Sequence, residues 1–93
     1  MHKALRIDPR DNVAVVLTEL KKGEEVLINT ETGSIQLTAL SDIPFGHKIA
    51  MSSLASHDPI IKYGEEIGKA KSTVEPGEWI HLQNLYCERG RED

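Results

Sequence analysis

The chain has 93 residues and a mass of 10.4 kDa, with 39% hydrophobic and 28% charged residues, a composition typical of one small globular domain. Such a domain buries one modest core and is too small to enclose a substrate and a full catalytic apparatus by itself. Its 11 Lys and Arg against 15 Asp and Glu give a net charge of −4. With no Lys- or Arg-rich run, this balance argues against nucleic acid as the main ligand.

Cysteine content and hydropathy indicate the compartment. Cys87 is the only cysteine, so no intrachain disulfide can form and zinc sites built from paired cysteines are excluded. No apolar run approaches the ~20 residues that a transmembrane helix needs, and the N-terminus lacks a signal-peptide apolar segment. The sequence therefore predicts a cytoplasmic protein that binds neither membrane nor nucleic acid.

The N-terminal part of the chain predicts a strand followed by a helix. The strand covers residues 4–7, and Pro9 ends the element because proline has no N–H donor. The helix covers residues 12–22, with Asp11 as its N-cap and Gly23 at its C′ position. Its apolar side chains have the spacing i, i+3, i+4 and i+7, and they are Val13, Val16, Leu17 and Leu20.

After Gly23 the apolar period changes to two, which is typical of β-strands. A hairpin is predicted with its turn at residues 31–33. Further short strands are predicted at residues 48–51, 60–63, 67–70 and 78–82. Pro and Gly separate these strands, and Pro76-Gly77 fits the central positions of a type II turn. The pattern predicts a mainly β domain, an irregular barrel or clip of short strands with one helix near the N-terminus.

One domain is predicted over residues 1–85. Residues 86–93 are almost wholly charged and predict a polar C-terminal tail. No phosphate-binding glycine loop, nucleophile elbow or His-Glu-x-x-His zinc helix occurs, so the histidines are the main candidates for chemistry.

His47 follows a turn at residues 43–46 that would project it and Lys48 from the start of a strand, where polar side chains commonly meet ligands. The alternative is that His47 is an ordinary surface residue of a turn. Lys62 lies at a predicted strand end beside Tyr63, where a solvated lysine and a packing tyrosine are the plainer interpretation.

His81 and Gln83 are two residues apart in a predicted strand and so point to one face, with Asn84 just beyond. Neutral imidazole binds divalent transition metals, and its free pKa near ~6.5 suits proton transfer. These residues predict half of a metal or acid–base site, and a surface role for His81 is the alternative. Trp79 is most simply the anchor of a core that is poor in aromatic residues.

Four segments of the chain, taken together in their order, indicate the family better than any one of them does alone. They are Asp11-Asn12-Val13-Ala14-Val15, Ile43-Pro44-Phe45-Gly46-His47-Lys48-Ile49-Ala50, Ile61-Lys62-Tyr63-Gly64-Glu65-Glu66-Ile67-Gly68-Lys69-Ala70 and Pro76-Gly77-Glu78-Trp79-Ile80-His81-Leu82-Gln83-Asn84. Together they resemble the SAF domain of the altronate dehydratase and galactarate dehydratase family, over residues 5–84.

The resemblance implies a β-clip fold and a lyase. In that family the domain is either the N-terminal part of a longer sugar-acid dehydratase or a separate small subunit paired with a large one. We therefore expect a small subunit that, with a large catalytic subunit, eliminates water from a sugar acid to give a 2-keto-3-deoxy acid. Whether the chain also forms a homo-oligomer is left open.

The resemblance also implies a divalent metal, Fe²⁺ or Mn²⁺, shared with the large subunit. The expected catalytic and metal-facing residues are His47 and His81, and the expected substrate-binding residues are Lys48, Lys62, Gln83 and Asn84. Relatives often have His-x-His-Asn near the end of the domain. This chain has Gln83 at the second histidine position, and an amide neither binds iron as imidazole does nor transfers a proton near neutrality.

Two alternatives come from different classes of function. The first is the small subunit of a sulfolactate sulfo-lyase, in which sulfite leaves and pyruvate forms. The second is a non-catalytic module that binds a sugar acid or a protein, since a fold does not fix a function. A carrier protein with a modified lysine is weaker, because neither Lys48 nor Lys62 lies centrally in a tight two-residue turn.

Overall fold

The computed structural model describes residues 2–87, which contain nine β-strands and no helix. In chain order the strands are β1 (His2–Leu5), β2 (Val13–Val16), β3 (Glu25–Thr30), β4 (Gly33–Thr38), β5 (Lys48–Ala50), β6 (Pro59–Lys62), β7 (Glu65–Ala70), β8 (Trp79–Ile80) and β9 (Leu85–Tyr86). Accordingly, the described part of the chain has no helix that could span a membrane.

The strands form two sheets. Six strands make the larger sheet in the order β4-β3-β1-β2-β5-β8, and the smaller sheet has the order β6-β7-β9. Strands β1 and β3 run parallel, whereas every other pair is antiparallel. Strand β8 therefore lies at one edge of the larger sheet and β4 at the other.

Two apolar clusters hold the sheets together, and β2 and β5 contribute to both. Ala14 of β2 and Ile49 of β5 are buried in the first cluster, and Val13 and Ala50 in the second. Adjacent residues of a strand point to opposite faces, so a strand buried on both sides supplies both clusters. The two clusters thus lie on opposite faces of the strands β2 and β5.

The predicted helix at residues 12–22 is absent, and this prediction is wrong. Residues Val13–Val16 form β2, a central strand between β1 and β5. Valine is stiff at its first side-chain torsion and favours strands, and burial on both faces suits a continuous apolar run. The helical spacing also required Leu17 to be buried, but that side chain is exposed.

The other strands confirm the mainly β prediction. The hairpin is β3–β4, joined by the two residues between Thr30 and Gly33, and β5 to β8 each overlap a predicted strand, whereas β9 was not predicted. The first strand begins at His2 rather than residue 4. The β-clip itself stays a prediction. Of the predicted tail, Tyr86 pairs with Lys69 of β7, and residues 88–93 lie outside the described residues.

Four tight turns share one pattern. A buried aliphatic residue precedes each turn, and the third residue of each turn has a positive φ. The buried residues are Leu20, Ile43, Leu54 and Val74, and the residues with positive φ are Gly23, Gly46, His57 and Gly77. Antiparallel bridges join Leu20 to Ile43 and Leu54 to Val74. The first pair belongs to the first cluster and the second pair to the second, so the two clusters are built alike.

Candidate functional site

Strands β5 and β8 bring His47 and His81 together. The pairing aligns Lys48 with Ile80 and Ile49 with Trp79, and continuing it by one residue places His47 opposite His81. Their ring centroids are 5.0 Å apart. The indole of Trp79 stacks on His81 with centroids 5.5 Å apart and an angle of 4° between the rings. We call these three residues the histidine–tryptophan cluster.

The turn before β5 explains why the His47 side chain is available. In the three other turns of the same pattern, the fourth residue is acidic and its carboxylate accepts a hydrogen bond from the first residue's backbone N–H. These pairs are Glu24 with Lys21 (2.7 Å), Asp58 with Ala55 (2.8 Å) and Glu78 with Glu75 (3.0 Å). In the remaining turn the first residue is Pro44, which has no N–H, and the fourth is His47. The His47 imidazole therefore makes no hydrogen bond to the first residue of its own turn, and it is free to contact Trp79.

Trp79 fixes the protonation pattern of the His47 ring. The indole Nε1–H donates a hydrogen bond to His47 Nδ1 over 3.2 Å. Indole is a donor only, so Nδ1 accepts and the neutral ring of His47 carries its proton on Nε2. His47 thus offers an N–H donor to a ligand.

The turn after β8 fixes the backbone of His81. The Oδ1 atom of Asn84 accepts a hydrogen bond from the His81 backbone N–H over 2.9 Å, and its Nδ2 donates to the carbonyl of Trp79 over 2.7 Å. Asn84 is 4% exposed, so these bonds are shielded from water. Gln83 is exposed, and its Nε2 donates to the same carbonyl over 3.2 Å. Asn84 therefore shapes the site through the backbone, whereas Gln83 is at its surface.

Lys48 and Lys62 form a second group. Burial of its ammonium and then the positive charge of Lys62 lower the pKa of Lys48. Among the described residues neither lysine has an acidic partner within ion-pair distance, and the Lys62 ammonium lies 4.6 Å from the centroid of the Tyr63 ring. Two lysines whose charges repel, and which have no carboxylate partner among the described residues, favour an anionic ligand.

Tyr63 holds this group at the tip of the β6–β7 hairpin. Lys62 pairs with Glu65, and the two residues between them both have positive φ, 60° at Tyr63 and 74° at Gly64. This is a type I′ turn, which asparagine or glycine normally occupies at its first central position. The left-handed conformation costs tyrosine ~1–2 kcal/mol, and its ring is 57% exposed rather than packed in the core. An exposed aromatic ring held in a strained conformation points to a binding role.

The two groups lie on different faces of β5. His47 and Ile49 alternate with Lys48 along the strand, so the pleat directs Lys48 away from the histidine–tryptophan cluster. The structure therefore brings His47 together with His81 and places Lys48 on the other face of β5, within the influence of the charge of Lys62. Within residues 2–87 no hydrogen bond, ion pair or ring contact joins one group to the other.

The donor atoms of the described residues do not form a metal site. Within residues 2–87 no three His, Cys, Asp or Glu side chains lie close enough to hold an ion. Nδ1 of His47 is occupied by the Trp79 hydrogen bond and Nε2 carries the proton, which leaves this ring no free lone pair for a metal. The described residues do not fit a metal site belonging to this chain alone, and no step below passes through one.

Sequence reasoning missed the roles of Trp79 and Tyr63. Trp79 was expected to be a core anchor, and it does pack against the first cluster, but its N–H also orients His47. The Trp79–Ile80–His81 spacing carried a usable signal, since it places Trp79 and His81 on one face of a strand. Tyr63 before Gly64 was read as a strand end, although a residue–glycine pair between two strand patterns is a hairpin signal.

The fold and these two groups define a small all-β domain with clustered histidine side chains on one face of β5 and lysine side chains on the other. Residues 2–88 match the family model of the altronate/galactarate dehydratase SAF domain. This chain belongs to that family, whose members here are lyases or parts of them.

Three relatives illustrate the range of the family. Altronate dehydratase of Bacillus subtilis (strain 168) is 36% identical over 84 residues, which are 90% of this chain and 16% of that protein. The (2R)-sulfolactate sulfo-lyase subunit alpha of Paracoccus pantotrophus is 38% identical over 63 residues, 68% of this chain and 94% of that subunit. The subunit of the same name from Chromohalobacter salexigens is 31% identical over 85 residues, 88% of this chain and 90% of that subunit. The chain thus spans about one sixth of the dehydratase but nearly all of the alpha subunits.

Proposed function

We propose that this chain is the small subunit of a two-chain lyase that acts on a sulfonated hydroxy acid, in the manner of a (2R)-sulfolactate sulfo-lyase. The observation that carries the proposal is the extent of the matches. They cover 94% and 90% of two sulfo-lyase alpha subunits but 16% of an altronate dehydratase. An alpha subunit implies at least one further chain, and the small size of this domain agrees with that need.

The dehydratase activity that the sequence led us to expect becomes the second candidate. Altronate dehydratase is 36% identical over 90% of this chain, so identity alone does not separate the two activities. In such an enzyme this domain would act with a much larger region, and water rather than sulfite would leave. Both candidates share the removal of a proton next to a carboxylate, and they differ in the leaving group.

The lysine pair supports a substrate with two negative groups. Sulfolactate carries a carboxylate and a sulfonate with one negative charge each, and this dianion suits two ammonium groups that lack acidic partners among the described residues. In our proposal the positive charge of Lys48 and Lys62 attracts this dianion to the domain, whereas the histidine–tryptophan cluster, on the other face of β5, contacts it during the reaction. An altronate ion carries a single carboxylate and is a poorer match for two lysines, whereas galactarate, with two carboxylates, matches them as sulfolactate does, so the assay includes all three acids.

In the proposed reaction a base removes the proton on the carbon that bears the hydroxyl and carboxylate groups. The electron pair of that bond forms a carbon–carbon double bond, and the carbon–sulfur bond breaks with its electrons on sulfite. The resulting enol of pyruvate then becomes pyruvate, which leaves pyruvate and sulfite as the two products. We assign the base to His81 and a hydrogen bond that stabilises the negative charge on the carboxylate to His47 Nε2–H.

Two earlier expectations remain parts of the proposal. A divalent metal, Fe²⁺ or Mn²⁺, would belong to the assembled complex, with ligands from the large subunit. The cytoplasm is the proposed location, on the ground of the single cysteine.

The test is to co-express the chain with the large chain of the same organism that matches the part of altronate dehydratase not covered here. The purified complex is assayed with sulfolactate, altronate and galactarate, with Fe²⁺ or Mn²⁺ added, by measuring sulfite and the keto acid formed. Sulfite and pyruvate from sulfolactate alone, requiring both chains, is the expected result. Keto acid from altronate or galactarate without sulfite would establish the second candidate, and no complex would favour a stand-alone binding module.

A further inference from the structure

Two large apolar side chains lie exposed beside the histidine–tryptophan cluster. Phe45 and Leu82 are each 68% exposed, more than any other large apolar side chain of the described residues. Scattered exposed apolar residues are ordinary, but these two each lie within two residues of a histidine of the cluster.

The pairing of β5 with β8 places both residues at one end of the larger sheet. Phe45 precedes His47 in the turn before β5, and Leu82 follows His81 in the turn after β8. Because His47 and His81 lie opposite each other, Phe45 and Leu82 adjoin the pair from the two strands β5 and β8. Strand β8 is also the edge of its sheet, so a partner can approach from this side.

We infer that the surface formed by Phe45, the histidine–tryptophan cluster and Leu82 is where the large catalytic subunit docks, so that the active site lies at the junction of the two chains. This inference rests on the proposed function. The occupant follows from two observations. The proposed function requires a large catalytic partner, which agrees with the 94% and 90% coverage of two alpha subunits, and the histidines lack further acidic or metal-binding neighbours within residues 2–87.

A contact at this surface would serve the chemistry directly. Apolar residues around a polar centre exclude water when a partner covers them, and hydrogen bonds inside such a contact strengthen as the surroundings lose water. The partner's groups would be brought against His47 and His81, whose rings are already fixed by Trp79 and the turn at Asn84. Docking and completion of the site would then be one event.

The test measures the dissociation constant of the complex with the same large chain, using Phe45→Ser, Leu82→Ser and the double variant. Each single variant should weaken binding about tenfold and the double variant about a hundredfold, as expected for central apolar anchors. Ile35→Ser is the matched control, since Ile35 is 38% exposed on β4, at the opposite edge of the sheet. It should bind as the wild type does.

Further measurements separate the possible failures. Circular dichroism and amide spectra of each free variant establish that its fold is retained. Unchanged binding of the double variant, with the wild-type complex intact, overturns the docking surface and leaves the proposed function standing. Failure of the wild-type chain to bind the large chain overturns both. A double variant that loses only self-association in sedimentation shows instead that a second copy of this chain covers the surface, which also overturns the inference.

Discussion

The hydrogen bond from Trp79 to His47 has a consequence for the chemistry of a single residue. A histidine with Nδ1 as acceptor presents Nε2–H, which can donate to a carboxylate or sulfonate oxygen but cannot bind a metal at that atom. The chain therefore builds a donor where the sequence suggested a metal ligand. Binding an oxyanion and binding a metal require opposite states of this ring.

We predict that Trp79→Phe shifts the tautomer of His47. Phenylalanine keeps an aromatic ring over His81 but has no N–H, so the reason for the proton to stay on Nε2 disappears. The ¹⁵N chemical shifts of the neutral His47 ring should move from a single Nε2–H form to a mixture. His57, whose Nδ1 lies 2.9 Å from the Tyr86 hydroxyl, is an internal control in the same spectrum. An unchanged His47 pattern in the variant would contradict the assignment.

The lowered pKa of Lys48 has a predictable effect on stability. The pKa of Lys48 is lower in the folded chain than its ordinary value of 10.5, because of burial and then Lys62. Between these two pKa values the unfolded chain binds more protons, so the free energy of unfolding rises with pH there. The charge thus weakens the fold at neutral pH, and the cost disappears as the pH approaches the ordinary value.

Lys48→Met keeps the apolar stem and removes the charge. It should therefore raise the melting temperature slightly at pH 7, and its advantage over the wild type should shrink as the pH rises toward 10.5. Thermal unfolding followed over this range measures the difference, with Lys3→Met as a control for the loss of one exposed positive charge. A constant difference across the range would refute this account of Lys48.

At the scale of elements, the four similar turns do most to fix where the strands begin. Their third residues have positive φ, which glycine adopts without a steric cost. Gly77 has an added constraint, because a Cβ there would lie 2.1 Å from the Thr38 carbonyl oxygen, whereas a Cβ at Gly23 would have no atom within 4 Å. Gly77 and Gly23 have nearly the same φ, 93° and 91°. Substituting each by alanine therefore separates the cost of the backbone conformation from the cost of the steric collision.

Gly23→Ala should therefore destabilise the chain by ~1–2 kcal/mol, the cost of the left-handed conformation. Gly77→Ala should exceed that loss by ~2 kcal/mol or more, since the turn or the end of β4 must move away from the new methyl group. Chemical denaturation of both variants tests the difference. Equal losses of stability in the two variants would mean that the backbone around Thr38 moves away from the methyl group at little free-energy cost.

The strands could be predicted where turn residues marked their limits, as at Gly33 and Pro76-Gly77. The helix was mispredicted because residues 13–20 satisfy a helical spacing by chance. A strand buried on both faces has apolar residues at consecutive positions, so β2 supplies the helical positions Val13 and Val16, while Leu17 and Leu20 lie beyond it. Only the tertiary surroundings, namely strands on either side of β2, decide between the two.

The site was predictable in part for a related reason. Sequence placed His47 at the start of a strand and His81 on a later one, but it could not show that β5 and β8 are neighbours. The opposite directions of His47 and Lys48 did follow from the predicted strand, because neighbouring residues of a strand point to opposite faces. The resemblance to the family supplied the choice of residues, and the pairing of strands supplied which of them lie together.

At the scale of the whole molecule, the two apolar clusters cannot unfold independently. Strands β2 and β5 contribute neighbouring residues to both, so loss of one cluster removes half of the burial of the strands that hold the other. A chain of this size has a free energy of unfolding of ~5–10 kcal/mol, which is too little to maintain one cluster without its partner. We therefore expect one cooperative transition.

Ile60→Ala tests this coupling, because Ile60 is fully buried in the second cluster whereas Trp79 packs against the first. The cavity should cost ~2–5 kcal/mol. If the clusters unfold together, the fluorescence of Trp79 must report the whole loss, although the substitution lies in the other cluster. Ile35→Ala, an exposed change, should stay within ~0.5 kcal/mol of the wild type. A Trp79 transition that keeps its wild-type midpoint in Ile60→Ala would show two independent units.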